Sequence, residues 1–215
     1  MYNISDNDLE FAELVKQDRA KLEANFTTTI QKVETTLNLF SDTISLAKQY
    51  NLDKNSVFWN TARYVNIVSL DLKLLSKHQA FAESEWEKRL FARQISLLIY
   101  ESLDDILSLL GKEFKIIAND YKDDDSFSEL LNEIRKKLNL FKSSHYEKIK
   151  AHRNNSIAHR DKDTNEQLKH IYSISWLDSV NMSSEFDRIL NELGMFLEII
   201  MRGGISDGQI RFNAY

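Results

Sequence analysis

The chain has 215 residues, a formal charge of −5, five glycines, and neither proline nor cysteine. That length suits one large domain, or one domain with an extension, around a substantial core. Lack of cysteine excludes disulfides, thiolate metal sites and cysteine nucleophiles, lack of proline favours long helices with short connections, and the negative balance argues against general nucleic-acid coating.

The first ten residues, MYNISDNDLE, are polar and acidic, unlike a signal peptide. No run of about eighteen apolar residues occurs, so the expectation is a soluble cytoplasmic protein with no membrane span. Leu22, Phe26, Ile30, Val33, Leu37, Phe40 and Ile44 recur at steps of four and three. This is one apolar helical stripe, predicting a helix from about Asp6 to about Tyr50 that needs a partner helix along its length. The polar stretch YNLDKNS (50–56) predicts a break, after which Phe58, Ala62, Val65, Val68, Leu72 and Leu75 form the next helical face.

Ser84 and Glu87 stand at capping-box spacing ahead of a long run, WEKRLFARQISLLIYESLDDILSLLGKEF, that is apolar in its middle and reads as one helix. NDYKDDD (119–125) is a polar connection. Ser126 and Glu129 form a second capping-box candidate, opening a helix through Leu130, Ile134, Leu138 and Phe141. Thr164 and Gln167 are expected to cap a shorter segment, and SEFDRILNELGMFLEIIMR (184–202) is the last helix, stopped at Gly203-Gly204. Trp59, Trp86 and Trp176 read as core anchors, and His78 as a surface residue between helices. No strand, repeat or low-complexity block emerges. The predicted class is all-α: an antiparallel helical bundle over 81–202, a long N-terminal helical hairpin extension over 1–80 and a tail over 203–215.

One polar interruption, KAHRNNSIAHRD (150–161), stands out from these amphipathic segments. Between Glu133 and Lys162 lie nine basic residues against three acids, so this stretch is +6 within a chain of −5. A phosphate-bearing ligand suits such a stretch; so does an ordinary solvated helix face. His145, His152 and His159 are seven apart, ~10.5 Å along a helix axis, too far to share a metal ion. Neither a glycine-rich phosphate loop nor a Gly-x-Ser-x-Gly elbow is present. Metal and cofactor are therefore not expected.

Phosphodiester cleavage fits better. With the RNA 2′-hydroxyl as nucleophile, the protein must supply a base, an acid and a cation for the growing phosphoryl charge, roles suited to histidine and arginine. Arg153 and His159 supply one of each, and Asn154 is free to hold the arginine or a phosphate oxygen. On a regular helix residues six apart point about 120° apart and lie ~9 Å from one another. The pair therefore requires the helix to end or bend at Asn154-Asn155-Ser156, or two copies to meet across a dimer axis.

Arg153-Asn154-x4-His159, late in an all-α chain, resembles the motif of the HEPN superfamily. The similarity covers roughly residues 85–202 and leaves the helices before about Gln79 as an extension. It implies a helical bundle that dimerises and acts as a metal-independent endoribonuclease, of the kind found in bacterial toxin–antitoxin and abortive-infection systems. Arg153, Asn154 and His159 would then be catalytic, and Lys150, His152, Arg160 and Lys162 would contact RNA. Expected partners are RNA, a second copy and an antitoxin or regulator protein. The resemblance also implies a polar or acidic residue on an earlier helix facing the motif: Glu101, Asp104 or Asp105. Three rivals stay open: a non-catalytic module binding RNA, nucleotide or protein, a purely structural or regulatory oligomer built on the long N-terminal helices, and a helix junction in which Arg153 merely pairs with a bundle carboxylate.

Overall fold

The computed structural model describes residues 4–49, 56–120, 125–154 and 163–206. These form eight helices and no strand: α1 (Asp6–Gln17), α2 (Arg19–Gln49), α3 (Ser56–Phe81), α4 (Glu85–Leu109), α5 (Lys112–Asp120), α6 (Asp125–Arg153), α7 (Thr164–Tyr172) and α8 (Trp176–Ser206). The chain is an all-α helical bundle, and no helix among the described residues is long and apolar enough to cross a membrane.

Cross-helix pairs give the topology. Tyr64 meets Asp105 and His78 stacks on Phe91, so α3 and α4 run antiparallel. Tyr100 stacks on Tyr146 while the Leu110 carbonyl accepts from Arg135, so α4 and α6 do too. Lys137 reaches Glu192 and Lys148 reaches Asp178, which sets α6 against α8. Ser69 donates to Asp187, and Gln79 donates to the Trp176 carbonyl, closing the ring between α8 and α3. The result is an up-down-up-down four-helix bundle around one core, which includes Val65 and Leu72 of α3, Ile99 of α4, Leu138 of α6 and Phe186 of α8.

Helix α2 lies along α3, with Phe26 edge-on to Phe81 and Phe40 edge-on to Trp59. Its regular stripe thus finds its partner within the chain. The division at residue 80 groups α3 with α2; in the structure α3 supplies Phe58, Ala62, Val65, Val68 and Leu72 to the same core as α4, α6 and α8.

Local signals explain several helix ends and correct others. Both halves of the Ser84/Glu87 capping box form. Asp163, not Thr164, caps α7, its carboxylate accepting from the Asn165 and Glu166 amides. An aspartate one residue earlier reaches both donors, leaving Thr164 as the first helical residue. Helix α6 begins at Asp125, so Ser126 lies inside its first turn rather than capping it. The expected single N-terminal helix is broken at Asp18, and the run after Ser84 breaks at Leu110-Gly111. At Gly111 a Cβ would stand 2.7 Å from the Ser108 carbonyl oxygen, so the tight turn requires glycine.

Helix α8 starts eight residues earlier than expected and continues through Gly203-Gly204 to Ser206. Its start is capped at long range: the Asp8 carboxylate of α1 accepts from the Ser175 hydroxyl at 2.9 Å and the Leu177 amide at 2.8 Å. The Trp176 indole donates to the Asp8 carbonyl. Leu131, not Leu130, enters the core from α6, and Trp86 is 46% exposed at the bundle edge, whereas Trp59 and Trp176 are buried. His78 sits in the last turn of α3, against Phe91, rather than between helices. The expected break at 50–56 lies almost entirely outside the described residues.

Candidate functional site

Helix α6 delivers the candidate side chains. Lys142, Tyr146, Lys150 and Arg153 follow at steps of four, four and three, so they share one helical face. The antiparallel α4 passes beside it and presents Ser96, Tyr100, Glu101 and Asp104, again at helical spacing. Regular helix ends at Arg153, and the backbone opens into a wider, π-type turn at Asn154. Asparagine is a poor helix-interior residue, and such widened turns often accompany functional sites.

Arg153 is held on three sides. Its Nε donates to Glu101 Oε1 at 2.9 Å, and its Nη1 donates to Asn154 Oδ1 at 3.2 Å. Its guanidinium carbon lies 4.8 Å from the Tyr100 ring centre. The side chain remains 28% exposed, and Nη2 meets no hydrogen-bond acceptor among the described residues. A guanidinium fixed through Nε and one face can still offer its outer edge to a phosphate.

Of the three acids considered on α4, Glu101 faces the motif. Asp104 pairs with Lys142 at 2.5 Å, and Asp105 accepts from the Tyr64 hydroxyl at 2.7 Å, on the side facing α3. That carboxylate, together with burial, pushes the Tyr64 phenol well above its ordinary range, burial contributing most.

His152 also reaches α4, one turn from the Arg153–Tyr100 contact, where its Nδ1 lies 2.9 Å from Ser96 Oγ. Ser96 also donates to the Ala92 carbonyl at 3.0 Å, so when its single hydrogen is committed there, Nδ1 of the imidazole is the donor. Burial lowers the His152 pKa to about 4, aided by the nearby Lys148 and His170 and opposed by Asp178. At neutral pH the ring is uncharged, which removes its Coulombic attraction for phosphate. Lys150 extends over the Tyr146 ring at 5.8 Å. His159, Arg160 and Lys162 lie outside the described residues.

The basic charge of α6 is largely matched across the bundle. Lys137 pairs with Glu192, Lys142 with Asp104, Lys148 with Asp178 and Arg153 with Glu101. His145 adds a contact to Glu185. Much of the excess positive charge counted along the sequence is therefore compensated by acids on α4 and α8.

Tyr100 and Tyr146 are site residues the sequence reading did not single out. Their rings stack 5.6 Å apart at 24°, with hydroxyl oxygens 3.4 Å apart. Tyr146 could have been found from its register, midway between Lys142 and Lys150 and seven before Arg153. Tyr100 carries no such signal, because its meeting with Arg153 depends on how α4 passes α6. A cleft of about 390 Å3 between α2, α3 and α8, lined by Val33, Phe40, Val65, Ser69 and Leu190 among others, takes no residue from α6. No family model, curated protein or solved structure matches this chain.

Proposed function

We propose that this chain is a metal-independent endoribonuclease of the HEPN type, acting in the cytoplasm as a homodimer within a bacterial defence or toxin–antitoxin system. The observation that carries the reading is the posture of Arg153. A guanidinium is anchored by Glu101, Asn154 and Tyr100 at the end of α6, six residues before His159. In this reading Arg153 neutralises charge on the phosphoryl oxygens, His159 serves as general acid or base, and Asn154 with Glu101 keeps the guanidinium aimed. Attack by the 2′-hydroxyl leaves a 2′,3′-cyclic phosphate and a 5′-hydroxyl. A second copy across a two-fold axis supplies the second histidine that acid-plus-base chemistry needs. An antitoxin or regulator would hold the enzyme silent until required.

The test is cleavage of total RNA from the native host by purified protein in excess chelator, beside Arg153→Ala and His159→Ala. The reading expects each variant to lose about 100-fold or more in rate, and cyclic-phosphate ends from the parent. Cleavage unchanged in either variant, or absent from the parent, refutes it. A second reading draws support from the charge matching of α6. With Arg153, Lys137, Lys142 and Lys148 already paired, the face also suits a module that binds RNA, nucleotide or a protein without chemistry. Retained RNA binding with no cleavage selects it.

A further inference from the structure

Next to Arg153 the two helices assemble a layered surface. Arg153 lies over Tyr100, Tyr100 stacks on Tyr146, and the Lys142 and Lys150 ammonium groups stand 5.2 and 5.8 Å from the Tyr146 ring centre. The face from Lys142 to Arg153 runs eleven residues, about 16 Å of helix, room for a few nucleotides of extended strand. Both tyrosines are only part-buried, while core aromatics such as Phe186 are inaccessible. Tyr100 packs against the edge of the core, whereas Tyr146 is not among the residues packed on it and meets Tyr100 at the rim.

We propose that Tyr146, backed by Tyr100 and flanked by Lys142 and Lys150, is the stacking platform on which single-stranded RNA lies as it leads its phosphate to Arg153. The inference rests on the reading of the α6 end as an RNA site, and names the strand-binding surface of that site. The cations beside the Tyr146 ring are the ammonium groups of Lys142 and Lys150. An exposed ammonium–ring contact is weaker than a nucleobase stacked on the same ring, so a base displaces them. The freed ammonium groups are then available to the flanking phosphates, Lys142 exchanging its exposed pairing with Asp104 for a phosphate oxygen. Asp104 and Glu101 at the rim disfavour any purely charge-driven ligand, so the ring is the discriminating feature. Stacking is open to every base, which gives a platform preferring unpaired strand over duplex with little sequence choice.

The probe is a labelled 2′-O-methyl oligoribonucleotide of about ten nucleotides, which lacks the attacking hydroxyl and therefore reports binding alone. Fluorescence anisotropy is measured on the full chain and on Tyr146→Ala, Tyr146→Phe, Lys142→Gln and Lys150→Gln, each first shown by circular dichroism to melt as the parent does. Expected is about tenfold weaker binding in Tyr146→Ala, little change in Tyr146→Phe, and a shallower salt dependence, by roughly 0.7 per lost phosphate contact, in each lysine variant. Binding unchanged in Tyr146→Ala overturns the platform, as does equal loss in Tyr146→Phe, which would assign the effect to the hydroxyl. A parent that does not bind the probe overturns it as well. The two readings fail separately. Cleavage by the parent with a silent Tyr146→Ala effect refutes the platform alone, whereas Tyr146-dependent binding without cleavage refutes the nuclease alone.

Discussion

His152 makes stability depend on pH in a predictable direction. Its ring is part-buried against α4, and that burial lowers its pKa to about 4 from an ordinary histidine value of 6.5. In the unfolded chain the ring takes a proton near pH 6.5, whereas the folded protein resists until about pH 4. Between these values the unfolded state binds more protons, so stability rises with pH. The contribution is fully present above about pH 6.5 and is lost as pH falls toward 4. Between pH 7.5 and 5.0 the two pKa values imply a loss of about 2 kcal/mol from this residue. For a chain of this size that corresponds to about 4–8 °C in melting temperature. Carboxylates titrate over the same range, so the assay is a difference: thermal or urea unfolding at both pH values for the parent and for His152→Gln. Glutamine retains a hydrogen-bonding partner for Ser96 but cannot titrate. The variant should lose about 2 kcal/mol less than the parent on acidification. Equal losses in both proteins would refute the reasoning and place the imidazole in a solvated position.

Other expectations concern particular contacts. Glu101→Gln, removing an exposed partner of Arg153, should change stability by less than about 1 kcal/mol, because such pairs are weak in water. If Arg153 acts on phosphate, the same variant should lower kcat about tenfold with KM little changed, and Glu101→Asp should recover part of it. Asp8→Ala should cost about 2–4 kcal/mol in urea unfolding, because it removes two charge-assisted hydrogen bonds from a buried site at the start of α8. A cost below about 0.5 kcal/mol would show that α1 does not cap α8 in solution. Gly111→Ala should destabilise by about 1–2 kcal/mol despite the stiffer unfolded chain, because the added Cβ meets the rigid Ser108 carbonyl. A melting temperature raised by that change would contradict the turn described at residues 110–111.

Residues within about four positions of one another made the all-α class and most helices legible. Steps of three and four place Phe58, Ala62, Val65, Val68 and Leu72 on one face before any partner is known, and all five are buried. The Ser84/Glu87 box is legible for the same reason, since both of its hydrogen bonds close within one turn. Periodicity says less where two faces compete: Leu130 and Leu131 are adjacent on α6, and only the position of its neighbours decides that Leu131 is the buried one. Helix ends set by distant groups are invisible in the local pattern. Helix α8 has a local cap, Ser175 accepting from the Asp178 amide, but the added cap from Asp8 comes from far off in the sequence. So does the Arg135 donor that reaches the Leu110 carbonyl beside Gly111.

The candidate site divides along the same line. Sequence alone marks Arg153, Asn154 and His159 as a chemically capable group, and it places Lys142, Lys150 and Arg153 on one helical face. It cannot choose among Glu101, Asp104 and Asp105, which lie within five residues of one another on α4. Tertiary packing makes that choice by fixing the rotation of α4 against α6, turning Glu101 to Arg153, Asp104 to Lys142 and Asp105 to Tyr64. The same rotation brings the His152 imidazole to Ser96 and stacks Tyr100 on Tyr146. A helix pattern repeats every 3.6 residues along one axis and carries no information about a second axis, so properties created between helices belong to the packed bundle alone.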